Sequence, residues 1–400
     1  MGQEKDVSGK ETMQRRNRTA PSRRSEVEPF LVMEVMRAAI DRELSGQRVI
    51  HMEVGQPGAA APRPVLDAAR SALVHGRLAY TEALGLRSLR SRIARYYADA
   101  HGLDVPYERI AVTTGSSAGF NLAFLAAFDH GDRIALAAPG YPAYRNLLHA
   151  LGLEVVEIPV DADSRYVLTP EMLAAAHREK PLAGVLVASP ANPSGTVMRP
   201  EALGALIAAA HDLGIRFISD EIYHGLVYEG IAETALRFSD DAIVVNSFSK
   251  YYCMTGWRIG WMVLPEPLVR PVERIAQNLY ISPAEISQVA AEAAFAATAE
   301  LDAIKATYAA NRRILLDRLP GIGFDEFHPV DGAFYVYAAT RRFSADSTDF
   351  ARRMLAEAGV AATPGSDFDR VRGNEWIRFS FAGTTPDMAE AMGRLADWLR

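Results

Sequence analysis

The chain has 400 residues, of which 49% are hydrophobic and 23% are charged, and its formal net charge is −6. This composition is typical of a folded globular protein with two or three domains, and it excludes a mainly disordered or collagen-like chain. A mildly acidic chain has no general reason to bind nucleic acid or an anionic membrane, and no apolar run is long enough to cross a bilayer. The single cysteine, Cys253, excludes an intrachain disulfide and a CxxC zinc site, so we expect no metal and a reducing, cytoplasmic compartment.

The N-terminal part of the chain divides into two segments. Residues 1–28 carry seven Lys and Arg residues and almost no large apolar ones, which predicts a solvated, flexible tail. Between Phe30 and Ile40, apolar residues recur at near-helical spacing and predict an amphipathic helix. A short apolar run and the turn Gly55–Gly58 follow, and we expect residues 29–58 to pack against a smaller C-terminal domain.

Short β-rich runs alternate with helical patterns over residues 59–295. Several of these runs are apolar throughout, as in parallel strands that helices cover on both faces. The pattern predicts a three-layer α/β/α domain around a mostly parallel sheet. The predicted strands are 109–112, 133–138, 184–188, 216–219, 242–246 and 258–263, and the clearest helices are 117–128 and 200–213.

Residues 296–400 have a different pattern and predict a smaller α+β domain. A long helical stretch leads into two strands that alternate with helices. The predicted helices are 301–319, 347–358 and 385–400, and the predicted strands are 333–339 and 375–382.

The segment Gly115-Ser116-Ser117-Ala118-Gly119 lies between a predicted strand and a predicted helix. It matches the G-x-S-x-G elbow of hydrolases, with Ser117 as the nucleophile and a downstream histidine such as His328 as its base. The same small residues at a helix start can bind a phosphate through free N–H groups and hydroxyls. A helix N-cap is the third interpretation, and the segment alone does not choose among them.

Two further polar segments follow predicted strands. Asn192 stands in the turn-rich run after the strand 184–188, at the edge of an α/β sheet where ligands bind, although a simple loop explains it too. Asp220 ends the next strand, where it either caps a helix or needs a cationic partner, and Tyr223 faces the same region.

The segment Ser247-Phe248-Ser249-Lys250 places a lysine directly after an apolar strand, with Arg258 eight residues further on. A sheltered lysine has a lowered pKa, and its amine can form a Schiff base. A guanidinium suits a phosphate. Arg378 sits among apolar residues in the strand 375–382, where it either pairs with a buried acid or binds a carboxylate in bidentate fashion.

Taken in order, these segments resemble the class I/II pyridoxal-phosphate aminotransferases of the aspartate aminotransferase fold, over roughly residues 30–400. The resemblance implies that Lys250 holds the cofactor as a Schiff base and later moves the substrate Cα proton. It implies that Asp220 pairs with the pyridine nitrogen, whose proton makes the ring an electron sink. Asn192 and Tyr223 would hydrogen-bond the ring phenolate oxygen.

The resemblance also assigns the remaining parts of the site. Arg378 would bind the substrate α-carboxylate, with help from Asn192 and the backbone at Gly55, and Tyr141 would stack on the cofactor ring. Tyr80 matches a tyrosine that reaches the phosphate of a neighbouring subunit, which implies a homodimer with shared active sites. The phosphate group would be held by Ser116, Ser117, Ser247, Ser249 and Arg258.

The implied reaction is ping-pong transfer of an amino group from an L-amino acid to a 2-oxo acid. Cys253 departs from the family pattern, which usually has a small residue there, and it is either a tolerated change or an oxidation-sensitive thiol. Ser117 stands where some bacterial aspartate aminotransferases have a lysine for the distal carboxylate, and residues 277–288 contain no arginine. A neutral or aromatic amino acid is therefore as plausible a substrate as aspartate.

Two alternatives to an aminotransferase remain. Another pyridoxal-phosphate enzyme of the same fold, such as a β-C–S lyase, would share these residues. The motifs indicate that a carbanion forms but do not indicate how it reacts next. A noncatalytic, cofactor-binding regulatory domain is the alternative outside enzymes. It would carry an N-terminal winged helix, for which a 28-residue tail is too short.

Overall fold

The computed structural model describes residues 21–400, so most of the tail predicted over residues 1–28 lies outside the described residues. The part that is described contains a 3-10 turn at Arg23–Ser25, and Glu28 forms a salt bridge of 2.9 Å with Arg370. The helices are α1 (Leu31–Leu44), α2 (Arg63–His75), α3 (Arg87–His101), α4 (Gly115–Ala127), α5 (Pro142–Leu151), α6 (Pro170–Glu179), α7 (Pro200–Asp212), α8 (Glu266–Leu279), α9 (Glu285–Ala294), α10 (Thr298–Ile322), α11 (Ser347–Arg353) and α12 (Thr385–Trp398). The strands are β1 (Ile50–His51), β2 (Ile110–Thr113), β3 (Arg133–Ala138), β4 (Glu154–Pro159), β5 (Gly184–Ala188), β6 (Arg216–Asp220), β7 (Ile243–Ser247), β8 (Gly260–Val263), β9 (Tyr335–Ala339), β10 (Val360–Ala361), β11 (Thr363–Pro364) and β12 (Trp376–Ser380).

Seven strands form the large sheet in the order β2-β8-β7-β6-β5-β3-β4. Strand β8 runs antiparallel to both of its neighbours, and the other neighbouring pairs are parallel. Successive residues of β5 enter different cores: Val185 and Val187 pack with helices α2, α3, α7 and α9, whereas Leu186 packs with α4, α5 and α8. Because side chains alternate across a strand, one apolar strand supplies both faces of the sheet.

The carboxyl ends of three neighbouring strands in this sheet meet at one edge. Ala188 of β5 pairs with Asp220 of β6, and Asp220 pairs in turn with Val245 of β7. The polar segments that follow β5 and β7 therefore begin beside Asp220. This register brings residues that are far apart in the sequence to a single edge, as is usual for ligand sites in open α/β sheets.

The C-terminal part of the chain has its own antiparallel sheet, β11-β12-β9. The N-terminal segment joins it, because β1 pairs in parallel with β10 and Ala39 of α1 packs with Val49, Leu355 and Ala361. The domain boundaries near residues 58 and 295 stay a prediction. None of the described helices is both long and apolar enough to cross a membrane.

The predicted fold class is confirmed, and the differences lie at particular strands. Strand β4 is missing from the predictions because Glu154 and Glu157 interrupt its apolar pattern, which is tolerated at the edge of the sheet. Strand β8 begins at Gly260 and not at Arg258, because Arg258 has a φ of +50° and so cannot continue an extended strand.

Candidate active site

A cavity of about 290 Å³ lies at the carboxyl edge of the large sheet, between this sheet and the C-terminal part of the chain. Its wall contains residues from the turn after β1, from the first turn of α4, and from the ends of β5, β6 and β7. It brings together eleven of the residues singled out in the sequence: Gly55, Ser116, Ser117, Tyr141, Asn192, Asp220, Tyr223, Ser249, Lys250, Arg258 and Arg378.

Lys250 follows β7, and its Nζ donates a hydrogen bond of 2.6 Å to the carbonyl oxygen of Gly55. Burial lowers the pKa of Lys250 to about 8, and the positive charges of Arg378 and Arg258 act in the same direction. The site therefore holds an amine that loses its proton close to neutral pH. Gly55 itself is required by close packing, because a Cβ there would lie 1.9 Å from the Tyr335 hydroxyl oxygen.

Asp220 ends β6 and is 3% exposed. Its Oδ1 accepts a hydrogen bond from the Ile222 N–H, and its Oδ2 accepts one from the Tyr144 hydroxyl. Burial raises the pKa of Asp220 to about 6, although Tyr144, Ile222 and the charge of Lys250 lower it. A carboxylate held in this way at a cavity wall still favours a cationic partner.

The first turn of α4 faces the cavity with Ser116 and Ser117. Thr114 precedes this turn and makes no side-chain cap, so the first N–H groups of the helix keep their donor capacity. Arg258 lies against the same turn, because a Cβ on Gly115 would be 2.4 Å from its Nη2. Arg258 forms no salt bridge with any of residues 21–400. A positive helix end beside such a guanidinium is a site for an anion.

Arg378 projects from β12 and is 3% exposed. Its Nη1 donates to Asn192 Oδ1 at 2.9 Å, and its Nη2 donates to the Glu53 carbonyl and to Thr363 Oγ1. The guanidinium carbon lies 4.4 Å from the centroid of the Tyr335 ring. These neighbours are neutral, so the charge of Arg378 is available to a carboxylate that enters the cavity.

Tyr223, Tyr335 and Tyr141 line the same cavity as Asp220 and Arg378. The hydroxyls of Tyr223 and Tyr335 are 2.6 Å apart, and burial raises the pKa of Tyr223 well above its usual value. The ring of Tyr141 is stacked with that of Phe30 at a centroid distance of 6.1 Å. Because one of these hydroxyls donates to the other, one O–H of the pair stays available to an oxygen in the cavity, and the Tyr141 ring offers an aromatic surface.

Two of the predicted site residues do not line this cavity. Ser247 is buried behind it, where its hydroxyl contacts Ser249 Oγ at 2.9 Å and donates to the Ile259 carbonyl. Tyr80 is 81% exposed on the outer surface of the chain. Their assignment to the cofactor remains a prediction.

His328, the histidine considered for a hydrolase, also lies outside the cavity that contains Ser117. Its ring is stacked on Tyr166 with centroids 3.5 Å apart, and burial lowers the pKa of His328 to about 3. It lines a separate apolar space behind Tyr141. This position gives Ser117 no base from His328.

Four further residues of the cavity wall stand in no chemical motif of the sequence: Tyr335, Tyr144, Phe30 and Asp367. Tyr335 falls within a predicted strand, but the partner of its hydroxyl, Tyr223, lies 112 residues away. Tyr144 lies in α5, which has an apolar stripe but no polar motif. Phe30 and Asp367 come from opposite ends of the chain. Only the apolar spacing around Phe30 gave a sequence signal, and it predicted a helix and not a cavity wall.

The family model for class I and II aminotransferases matches residues 47–395 of this chain. The chain belongs to this family. A valine–pyruvate aminotransferase from Mycobacterium tuberculosis is 50% identical over 380 residues, which are 94% of this chain and 97% of that protein. An aspartate/prephenate aminotransferase from Thermus thermophilus is 32% identical over 92% of this chain and 96% of that protein. The crystal structure of an aminotransferase from Mycobacterium tuberculosis matches with a TM-score of 0.93 and 50% identity, covering 95% of this chain and 99% of that one.

These similarities confirm the resemblance found in the sequence, and the protein is an aminotransferase of a family that uses pyridoxal phosphate. They extend over nearly the whole chain, so the family assignment covers both the large sheet and the C-terminal part.

Proposed function

We propose that this aminotransferase moves the amino group of an apolar L-amino acid such as valine to a 2-oxo acid such as pyruvate, with pyridoxal phosphate bound in the cavity. The observation that carries this proposal is the placement of Lys250, which is partly buried, and Asp220, which is buried, in the wall of one cavity that Arg378 also lines. The valine–pyruvate aminotransferase that is 50% identical supports the substrate class.

The residues of the cavity fit the cofactor in two independent ways. The uncapped first turn of α4 and the guanidinium of Arg258 together suit a phosphate dianion. Asp220 is a buried carboxylate that lacks a salt bridge among residues 21–400, and a protonated ring nitrogen would supply the missing positive charge. The hydroxyls of Ser117 and Ser249 would add hydrogen-bond donors near the phosphate.

Lys250 has two roles in the proposed reaction. When bound, pyridoxal phosphate supplies an aldehyde that binds amines and a ring that takes up the electrons left at the substrate Cα. The Nζ of Lys250 would bind that aldehyde in the resting enzyme, and the same amine would take the Cα proton and return it later. A pKa of about 8 keeps a substantial fraction of the amine neutral near physiological pH.

Arg378 would fix the orientation of the substrate by binding its α-carboxylate, while Asn192 holds the guanidinium in place. The O–H that is not used between Tyr223 and Tyr335 would donate to an oxygen in the same cavity. The substrate side chain would then face Phe30 and the other apolar residues of the wall. Among the described residues that line the cavity, the Lys and Arg side chains are those of Lys250, Arg258 and Arg378.

We also infer a homodimer in the cytoplasm. Leu73, Val74 and Tyr80 are 68%, 68% and 81% exposed, and Ile281 is 53% exposed. A hydrogen bond of 3.3 Å from the Thr81 N–H to Ser282 Oγ joins the segment that carries Tyr80 to the segment that carries Ile281. Exposed apolar side chains of this kind are typical of an interaction surface. A second copy of the chain would cover it, and sedimentation equilibrium should give twice 43.7 kDa. The single cysteine, which allows no intrachain disulfide, is compatible with a reducing compartment.

The visible spectrum of the purified holoenzyme tests the proposed reaction. Single amino acids are added without any 2-oxo acid, and the yellow colour of the bound cofactor is followed. Valine should bleach the protein once and release one equivalent of the matching 2-oxo acid, and pyruvate should restore the colour. Repeated release of ammonia and pyruvate from a cysteine conjugate would instead identify a β-C–S lyase. A colourless protein that takes up no pyridoxal phosphate would refute the proposal altogether.

A further inference from the structure

One carboxylate in the cavity wall takes no part in the reaction proposed above. Asp367 follows β11, lines the cavity and is 2% exposed. Its Oδ1 accepts a hydrogen bond of 3.1 Å from the Leu31 N–H. Its Oδ2 is buried and has no hydrogen-bond partner within residues 21–400, and neither oxygen forms a salt bridge with them. A buried carboxylate oxygen without a partner is unfavourable for folding, so its presence at a substrate cavity suggests a role there.

The hydrogen bond from Leu31 lies at the beginning of α1. Phe30 occupies the N-cap position and has no side chain that could accept from the first N–H groups of the helix. Asp367, which is 336 residues away from Leu31, supplies this acceptor. A carboxylate is also favoured at this position by the helix dipole. Asp367 therefore fixes the first turn of α1 against the C-terminal part of the chain.

The beginning of α1 supplies part of the apolar wall of the cavity. Phe30, Val32 and Met33 line it, and the rings of Phe30 and Tyr141 are stacked with an interplanar angle of 9°. A hydrogen bond at Leu31 thus positions the side chains on both sides of that residue. If the turn shifted, the surface facing the substrate side chain would change shape.

The charge of Asp367 acts on the same space. Burial raises the pKa of Asp367, whereas the Leu31 N–H, Arg378, the Val32 N–H and Arg145 lower it. A substrate side chain that ended in a carboxylate would bring a second negative charge close to Oδ2, in a region of low dielectric. The three cations in the cavity wall are assigned to the cofactor and the α-carboxylate, so they leave this second charge unpaired.

We propose that Asp367 is a specificity-determining residue of this aminotransferase: Oδ1 holds the apolar wall in position, and the charge at Oδ2 rejects amino acids whose side chain ends in a carboxylate. The inference rests on the function proposed above, because it concerns the side-chain end of the same cavity. The enzyme should therefore select against aspartate and glutamate through repulsion by the Asp367 carboxylate, and not through a contact that binds the preferred substrate.

Two substitutions separate the two effects. Asp367→Asn keeps an oxygen that can accept from the Leu31 N–H and removes the charge, whereas Asp367→Ala removes both. Asp369→Asn is the matched control, because Asp369 is also buried in the same segment but hydrogen-bonds to Val371 and Arg372 and does not line the cavity. The measurements are kcat/KM with L-valine and L-aspartate, and the Kd of two unreactive acids, isovalerate and succinate, on each holoenzyme.

The Asp367→Asn variant should raise kcat/KM for aspartate relative to valine at least tenfold and lower the Kd of succinate by a similar factor. Its kcat/KM for valine should change less than threefold. The Asp367→Ala variant should show the same gain and, in addition, a fall of at least fivefold in kcat/KM for valine, because the wall is no longer held. The Asp369→Asn control should keep the aspartate-to-valine ratio of kcat/KM and the succinate-to-isovalerate ratio of Kd within twofold of the wild-type values. An unchanged aspartate-to-valine ratio in Asp367→Asn would overturn the proposal.

The wild-type enzyme gives a second test that does not depend on how the variants fold. Isovalerate should bind at least tenfold more tightly than succinate, and succinate binding equally well or better would contradict the role of Asp367. A wild-type enzyme that transaminates aspartate in preference to valine would refute this inference together with the apolar substrate class, although it would remain an aminotransferase. Failure to transaminate any amino acid would instead refute the proposed function, and the two failures are therefore distinguishable.

Discussion

Lys250, Asp220 and Ser116 stand where strands of the large sheet end or a helix begins. Phe30 and Asp367, in the part of the wall proposed to face the substrate side chain, come instead from opposite ends of the chain. The first group is held by the framework of one sheet. The second depends on a hydrogen bond between residues that are 336 positions apart. A rigid sheet positions the reacting groups, and a long-range contact shapes the surface that meets the substrate side chain.

The two ends also differ in electrostatics. At the cofactor end, burial lowers the pKa of Lys250 to about 8 and raises that of Asp220 to about 6, so both groups titrate near neutral pH. At the side-chain end, apolar residues and one carboxylate line the wall, and burial raises the pKa of this carboxyl while Arg378 and Arg145 lower it. Changes at the cofactor end should therefore alter the rate with every amino acid, and changes at the side-chain end should alter which amino acid reacts.

The largest expected effect is that of Lys250→Ala. Because this change removes both the covalent anchor and the base, kcat should fall by about 10⁴-fold or more with every amino acid. Steady-state rates with valine and aspartate, together with the visible spectrum, provide the measurement. Lys180→Ala is the control, because Lys180 is 60% exposed in a surface salt bridge. Retained turnover in the Lys250 variant would contradict the mechanism.

A pair of adjacent carboxylates gives the second prediction. Asp220→Asn should slow turnover by about 10²-fold or more, since it removes the charge proposed to hold the ring proton. Glu221 is equally buried but lies outside the cavity, where Oε1 accepts hydrogen bonds from Ser219, Thr234 and Ala235. Glu221→Gln should therefore leave kcat within about threefold. Equal losses in both variants would show that general burial, and not position, explains the effect.

Glu221 should instead affect the pH dependence of stability. Burial raises its pKa from 4.5 to about 8 in the folded protein. Between pH 4.5 and 8, Glu221 stays protonated in the folded protein but ionises in the unfolded chain. Its contribution to the free energy of unfolding is therefore complete below pH 4.5 and is lost as pH rises through 8. The free energy of unfolding of Glu221→Gln should therefore fall less than that of the wild type between these values. Urea unfolding at pH 5 and pH 8 measures the difference.

The contrast between the two ends of the cavity explains what the sequence could predict. Lys250, Asp220 and Arg378 each follow or interrupt an apolar strand, and such local patterns are visible without the fold. Asp367 lies in a turn with no local sign that one of its oxygens would be buried without a partner. Its role depends on the approach of α1, which is a property of tertiary packing.

The pH dependence of Lys250 reactivity tests the electrostatics of the cofactor end more directly. In the cofactor-free protein, only the neutral amine reacts with an aldehyde, so its rate should rise about tenfold per pH unit below 8 and level off above it. Reductive methylation by formaldehyde, followed at Lys250 by peptide mass spectrometry, measures this rate, with Lys180 as the exposed reference. Arg378→Leu should move the midpoint upward, because it removes a positive charge that lowers the pKa. A midpoint near 10.5 in the wild type would contradict the assigned environment.

The smallest effect is expected at Cys253, which lies three residues from Lys250 but is 6% exposed and does not line the cavity. Burial raises the pKa of its thiol to about 11, so almost no thiolate exists near pH 7. We expect Cys253→Ala to change kcat/KM by less than twofold, and iodoacetamide to alkylate the native wild type far more slowly than the unfolded chain. Rapid alkylation with loss of activity would show that the thiol is accessible, and the oxidation-sensitive interpretation would replace the structural one. The comparison with Lys250 is informative because burial lowers the pKa of the lysine towards neutral pH and raises that of the thiol away from it, so the same physical effect favours reaction at Lys250 and suppresses it at Cys253.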